Sequence, residues 1–216
     1  MTESQPQGFF VAPASGKGPG VLVLHAWWGL NETIKAFCRR LADAGFVVFA
    51  PDLYHGKVAD NVEDAGAFGK EVDSNFKGTM DEVRAAAAFL AGRVEHPERG
   101  IGVIGFSLGT TYGLELSNAA PEQVRAVVVF YGSWVEDLSR SQAAYLGHFA
   151  EDDPYEPRVG SETLEAALRK LGRPVSIHIY PGTGHWFFEP DVTAAYNREA
   201  AELAWARTVA FLKETL

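Results

Sequence analysis

Ile101-Gly102-Val103-Ile104-Gly105-Phe106-Ser107-Leu108-Gly109-Thr110 is the stretch on which the fold turns. Its first four residues are apolar and largely β-branched, which predicts a buried strand. Thr110 to Asn118 then predicts a helix. A G-x-S-x-G between a strand and a helix is the layout of a nucleophile elbow. Gly105 and Gly109 permit a tight turn that holds the Ser107 hydroxyl clear of the sheet. The following helix N-terminus and the Leu108 N–H favour negative charge beside it. The plain alternative is a glycine-rich turn with an idle serine, so the reading depends on partners elsewhere in the chain. Gly100 to Gly105 also fits the dinucleotide fingerprint G-x-G-x-x-G. It lies on the strand rather than after it, so no nucleotide site is expected there.

Outward from the elbow, strands and helices alternate. Val21–Leu24 and Phe46–Phe49 read as buried strands, the second closed by Ala50-Pro51. Asn31 is placed to cap a helix running to Ala44, with Gly45 ending it. Thr79-Met80-Asp81-Glu82 reads as a capping box opening an alanine-rich helix to Leu90. Further strands are expected at Val124–Phe130, Ala144–Phe149 and Val175–Tyr180, with helices at Ser161–Leu171 and Arg198–Glu214. Apolar strands alternating with helices predict a parallel sheet covered on both faces. In such sheets the site lies at the carboxyl ends of the strands.

The chain has 216 residues, 47% of them hydrophobic, enough for one domain with a full core over residues 1–216. Its 19 Lys+Arg against 28 Asp+Glu give a formal net charge of −9, so nucleic acid is not an expected partner. The single cysteine, Cys38, falls at helical spacing with Ile34, Phe37 and Leu41, as a buried small residue rather than a reactive thiol. Met1 to Gly8 lacks a signal-peptide pattern and no apolar run reaches membrane-spanning length, so a cytoplasmic location is expected. No metal-binding pattern and no phosphate loop is present, and neither a metal nor another cofactor is implied.

A serine hydroxyl needs a general base, and the base needs a carboxylate. In α/β-hydrolases the chain order is serine, acid, histidine. Only His178 and His185 follow Ser107 and plausible acids. His178 lies inside the strand Ile177-His178-Ile179, where a satisfied structural histidine is expected. His185 lies in the loop Pro181-Gly182-Thr183-Gly184-His185-Trp186, just past a strand end, and is the candidate base. For the acid, Glu151, Asp152 and Asp153 follow a strand end; Asp153, before Pro154, is preferred and Asp152 stays open. Asp137 comes one strand too early. The second oxyanion-hole N–H is expected from Trp27 in His25-Ala26-Trp27-Trp28-Gly29, beside that of Leu108.

These residues resemble the dienelactone hydrolase family of the α/β-hydrolase fold. The likeness runs over nearly the whole chain: His25 to Asn31, Ala50-Pro51-Asp52-Leu53-Tyr54, Gly105 to Gly109, His148 to Asp153, and Gly184-His185. The resemblance implies Ser107, Asp153 and His185 as the triad, the Trp27 and Leu108 N–H groups as the oxyanion hole, and a small ester or lactone as substrate. Two departures stand out. The best-known members carry cysteine at Ser107 and, at Ala26, a glutamate that helps ionise it. The changes agree, since a carboxylate toggles a thiol of pKa about 8.5 far more readily than a serine hydroxyl. Those members also hold the substrate carboxylate with arginines, one a few residues after the histidine. Here Glu189 stands at that place and Lys57 to Lys77 contains no arginine. Glu189 is therefore expected to repel a carboxylate, and dienelactone is not expected as the main substrate. Trp27, Trp28, Tyr54, Trp134, Trp186 and Phe187 are candidates for a pocket taking a neutral apolar or aromatic group. The other functions open to this sequence are acyl transfer to an acceptor other than water and non-catalytic binding of a small molecule on the same scaffold. A monomer or small homo-oligomer is expected.

Overall fold

A computed structural model describes residues 6–216; the expectation for Met1 to Gln5 lies outside them. The sheet has seven strands: β1 (Gly8–Val11), β2 (Gly20–Leu24), β3 (Val47–Pro51), β4 (Ile101–Phe106), β5 (Val124–Phe130), β6 (Ala144–Ala150) and β7 (Val175–Tyr180). They lie in the order β1-β3-β2-β4-β5-β6-β7. All neighbouring pairs are parallel except β1 with β3. Six α-helices cover it: α1 (Glu32–Asp43), α2 (Val62–Ser74), α3 (Phe76–Ala91), α4 (Leu108–Ala119), α5 (Arg158–Lys170) and α6 (Arg198–Thr215).

The central strands are apolar on both sides because helices cover both faces. Val21 and Val23 join the core shared with α1 and α6, and Leu22 and Leu24 join the core shared with α3 and α4. The first core is aromatic under the site: Phe106 stacks on Phe130 at 4.5 Å, with Phe37 near-perpendicular to both rings and Phe188 tilted against both. α1 begins where Asn31 Oδ1 accepts the Ile34 N–H at 3.0 Å. Cys38 is fully buried on its inner face, and burial pushes its thiol up to about 12.

Three elements depart from expectation. β1, a strand not expected from the sequence, pairs antiparallel at the edge of a sheet that is otherwise parallel. α2 precedes α3 and is capped by Asn61, whose Oδ1 accepts the Asp64 N–H at 2.9 Å. Thr79 does not open a helix. α3 starts three residues earlier, and the Thr79 hydroxyl donates back to the carbonyls of Val72 and Asn75, both at 3.3 Å. Among the described residues no helix is long and apolar enough to cross a membrane.

Candidate active site

The chain leaves β4 and enters α4 through one residue, Ser107, at φ 46° and ψ −112°. A non-glycine residue there is strained by about 1–3 kcal/mol, and the surroundings hold it in place. Its N–H donates to the Phe130 carbonyl at 2.9 Å, and its carbonyl accepts from the Thr110 N–H and hydroxyl at 2.9 and 2.6 Å. The two elbow glycines are required by space. A Cβ on Gly105 would lie 2.6 Å from the Gly109 carbonyl oxygen and from Thr110 Cα. One on Gly109 would lie 2.4 Å from the Leu24 carbonyl oxygen. That oxygen belongs to β2, which cannot retreat without parting from β4. Gly109→Ala is therefore expected to cost about 3 kcal/mol, seen as a fall in the urea midpoint; a loss below about 0.5 kcal/mol would show that the elbow has room.

Three strand ends bring the polar groups together. The Ser107 hydroxyl, after β4, is 2.9 Å from His185 Nε2, after β7. His185 Nδ1 is 2.6 Å from Asp153 Oδ2, after β6. A carboxylate only accepts, so Nδ1 carries the proton and Nε2 is free to accept the serine hydroxyl. Asp153 Oδ1 accepts the N–H groups of Tyr155 and Glu156, both at 2.9 Å, which fixes the plane of the carboxylate. Pro154 contributes no N–H of its own to this turn. The His185 and Asp153 side chains are only 4% and 2% exposed, so their bond is shielded from water. Asp152 and Glu151 are exposed; Glu151 Oε2 instead accepts the Gly182 N–H at 2.9 Å, bracing the histidine loop. Asp137 is exposed and bonds Ser139 and Asn118. His178 sits within β7 in register with His148, away from the serine.

A cavity of about 240 Å³ opens over Ser107. Trp27, Leu108, Trp134 and Trp186 line it, as do Tyr131, Ser133, Tyr155 and Glu156. Leu108 is the first residue of α4, so its N–H has no partner within the helix. Three candidates lie elsewhere. Trp28 turns inward and packs on Trp186 at 5.2 Å. Tyr54 is buried against His25 and Phe68. Phe187 is fully buried between Tyr131 and Tyr180. Both pairs lie in turns, with Trp186 at φ 64°, and the turns divide Trp27 from Trp28, and Trp186 from Phe187, between cavity and core.

Glu189 also departs from expectation. It does not face the cavity but is fully buried, accepting the Tyr131 hydroxyl at 2.5 Å. Its other oxygen is buried without a partner. Burial pushes its carboxyl up to about 8, against the pull of the tyrosine, with Asp191 adding to the rise. It therefore cannot act on a substrate by direct repulsion. Tyr131, Tyr155 and Glu156 line the cavity without a sequence signal of their own; Tyr155 and Glu156 follow the candidate acid in the same loop.

Buried histidines hold the scaffold. His25 donates from Nδ1 to the Ala26 carbonyl at 2.8 Å, and Nε2 accepts the Leu53 N–H at 3.2 Å, tying the loops after β2 and β3. Burial lowers its pKa, so the neutral ring serves as this strut. His148 is satisfied by Tyr180 and Thr208 at 2.8 and 3.0 Å.

Comparisons with known proteins identify the family and the fold. A family model described as "Dienelactone hydrolase family" matches residues 7–216. "Protein usf" of Aquifex pyrophilus is 36% identical over 97% of this chain and 94% of its own length. A protein of Aquifex aeolicus (strain VF5) named "Putative carboxymethylenebutenolidase" is 33% identical over 96% of this chain and 93% of its own. A crystal structure described as a dienelactone hydrolase-like promiscuous phosphotriesterase from metagenomic libraries superposes with a TM-score of 0.86 at 22% identity, covering 96% of this chain and 92% of that one. It shares the fold. With a family match over almost its whole length, the chain belongs to the dienelactone hydrolase family.

Proposed function

We propose that this protein, an ester or lactone hydrolase by family, works as a serine hydrolase through an acyl-enzyme on Ser107. The observation that carries the reading is the unbroken line of hydrogen bonds from Asp153 through His185 to Ser107. In this reading Ser107 Oγ attacks the ester carbonyl carbon as Nε2 of His185 takes its proton. The carbonyl oxygen becomes an oxyanion, stabilised by the N–H groups of Trp27 and Leu108. Asp153 keeps the ring in the required tautomer and stabilises the imidazolium. The imidazolium then gives its proton to the leaving alkoxide as the C–O bond breaks. Water, deprotonated by the same nitrogen, hydrolyses the acyl-enzyme and restores the serine.

The aromatic lining favours small esters and lactones that carry no carboxylate. Incubation with a fluorophosphonate is expected to add one phosphonyl group, on the peptide containing Ser107, with loss of ester hydrolysis in proportion. Labelling elsewhere, or full activity after stoichiometric labelling of Ser107, would overturn the reading.

A further inference from the structure

The cavity over Ser107 carries an uneven charge. Among its lining residues there is no lysine or arginine, and its one carboxyl group belongs to Glu156. The rings of Trp27, Trp134, Tyr155 and Trp186 share the wall with it. Glu156 is also held there by construction. Its N–H donates to Asp153 Oδ1, the same oxygen that orients the candidate acid. The Ser133 hydroxyl donates to its Oε1. Beneath the pair lies Gly160, in the first turn of α5. A Cβ at that position would stand 2.1 Å from Glu156 Oε1 and 2.6 Å from Ser133 Oγ. Glycine inside a helix is poorly favoured against alanine, and here its bareness is what leaves room for the carboxyl. Burial raises the Glu156 pKa against the hydrogen bond from Ser133, so the group acts as an anion only on the alkaline side of that raised titration, where water screens it poorly.

We infer that Glu156 is a specificity-determining residue that sets the charge of the substrate: it disfavours esters bearing a carboxylate and favours those bearing an ammonium group, which the faces of the neighbouring aromatic rings attract as well. The inference rests on the serine hydrolase reading and adds the substrate class to it. A carboxylate substrate entering here meets a fixed negative group and no cation to pair with. An ammonium group gains a counter-charge and a π-face, both inside a partly dehydrated cavity.

Three 4-nitrophenyl esters test this. The 3,3-dimethylbutanoate is neutral, the trimethylammonioacetate is its cationic isostere, and the hydrogen succinate is anionic. kcat/KM is measured for each with the wild type, Glu156→Gln and Gly160→Ala. Intrinsic reactivity cancels when each ester is compared between proteins. In Glu156→Gln the cationic-to-neutral ratio is expected to fall about five- to tenfold and the anionic-to-neutral ratio to rise by a similar factor. Gly160→Ala, whose methyl displaces the carboxyl from Ser133, is expected to move both ratios in the same direction. Ratios within twofold of wild type in both variants, with the neutral ester still cleaved, would remove Glu156 as the selector and leave the serine hydrolase reading standing. Absence of turnover of all three esters by the wild type would instead bring down the hydrolase reading, and this inference with it.

Discussion

Ser107→Ala is expected to lower kcat on a neutral ester by about 10⁵- to 10⁶-fold while the protein stays folded. Among the described residues no other hydroxyl hydrogen-bonds His185 Nε2, so none of them is placed to give up its proton in attack. The alanine methyl fits where Cβ already lies, and the bonds that hold the elbow run through backbone atoms and Thr110. Nucleophile and base act as one unit. His185→Ala is therefore expected to cost about as much, and the double variant little more than either alone. A residual rate of about 10³–10⁴ over water would persist from the oxyanion donors and binding. Retention of a tenth or more of the wild-type kcat in Ser107→Ala would refute the assignment.

The second large effect concerns stability and comes from Glu189. Its carboxyl titrates near 4.5 in an unfolded chain and is pushed up to about 8 by burial in the fold. The folded state thus prefers the protonated form. Stability from this group is full below pH 4.5 and is lost as pH rises toward 8, because the unfolded chain releases a proton that the folded one keeps. At about 1.4 kcal/mol per pKa unit the loss between pH 5 and 8 is on the order of 4 kcal/mol. Glu189→Gln removes the ionisation and keeps an oxygen to accept the Tyr131 hydroxyl. Its amide also places an N–H where the unpartnered Oε2 lies, at a cost of about 1–3 kcal/mol. Urea unfolding at pH 5 and 8 is expected to show the variant no more stable than wild type at the lower pH and more stable at the higher. Parallel profiles for the two proteins would exclude a protonated Glu189.

What the sequence disclosed follows from how local each feature is. The elbow was legible because its strand, glycines and helix are contiguous, and the order of serine, acid and histidine follows from the order of the strands. For the acid, the sequence prefers Asp153 through its place before Pro154 and through the family resemblance, with Asp152 left open. The physical reason lies in the turn, which points Asp153 inward and leaves Asp152 in solvent. α2 carries a weak sequence signal because Gly66 and Gly69 dilute its helical pattern, although Asn61 caps it properly. Gly69 has a reason that no local pattern carries: a Cβ there would lie 2.7 Å from the Trp27 indole nitrogen. β1 carries little sequence signal because it is short, at the edge and only partly buried. The aromatic pocket was half legible, since residue type announces an aromatic but the loop path decides which way it faces. Glu189 shows the same limit. Four positions after His185 its chemistry suggested a substrate contact, but the turns at Phe187 and Glu189 carry it beneath Tyr131.

The three polar groups of the site arrive from separate places in the chain: Ser107 and His185 are 78 residues apart, His185 and Asp153 32. They meet only after β4, β5, β6 and β7 have assembled side by side. Contacts of such long range form late and slowly, because the chain entropy of closing the intervening loops must be overcome first. During refolding, ester cleavage should therefore return no earlier than the completed sheet, and well after the helices have gained their circular dichroism signal. The constellation acts as a clock for the last stage of folding, and no truncated chain that ends before β7 can carry it.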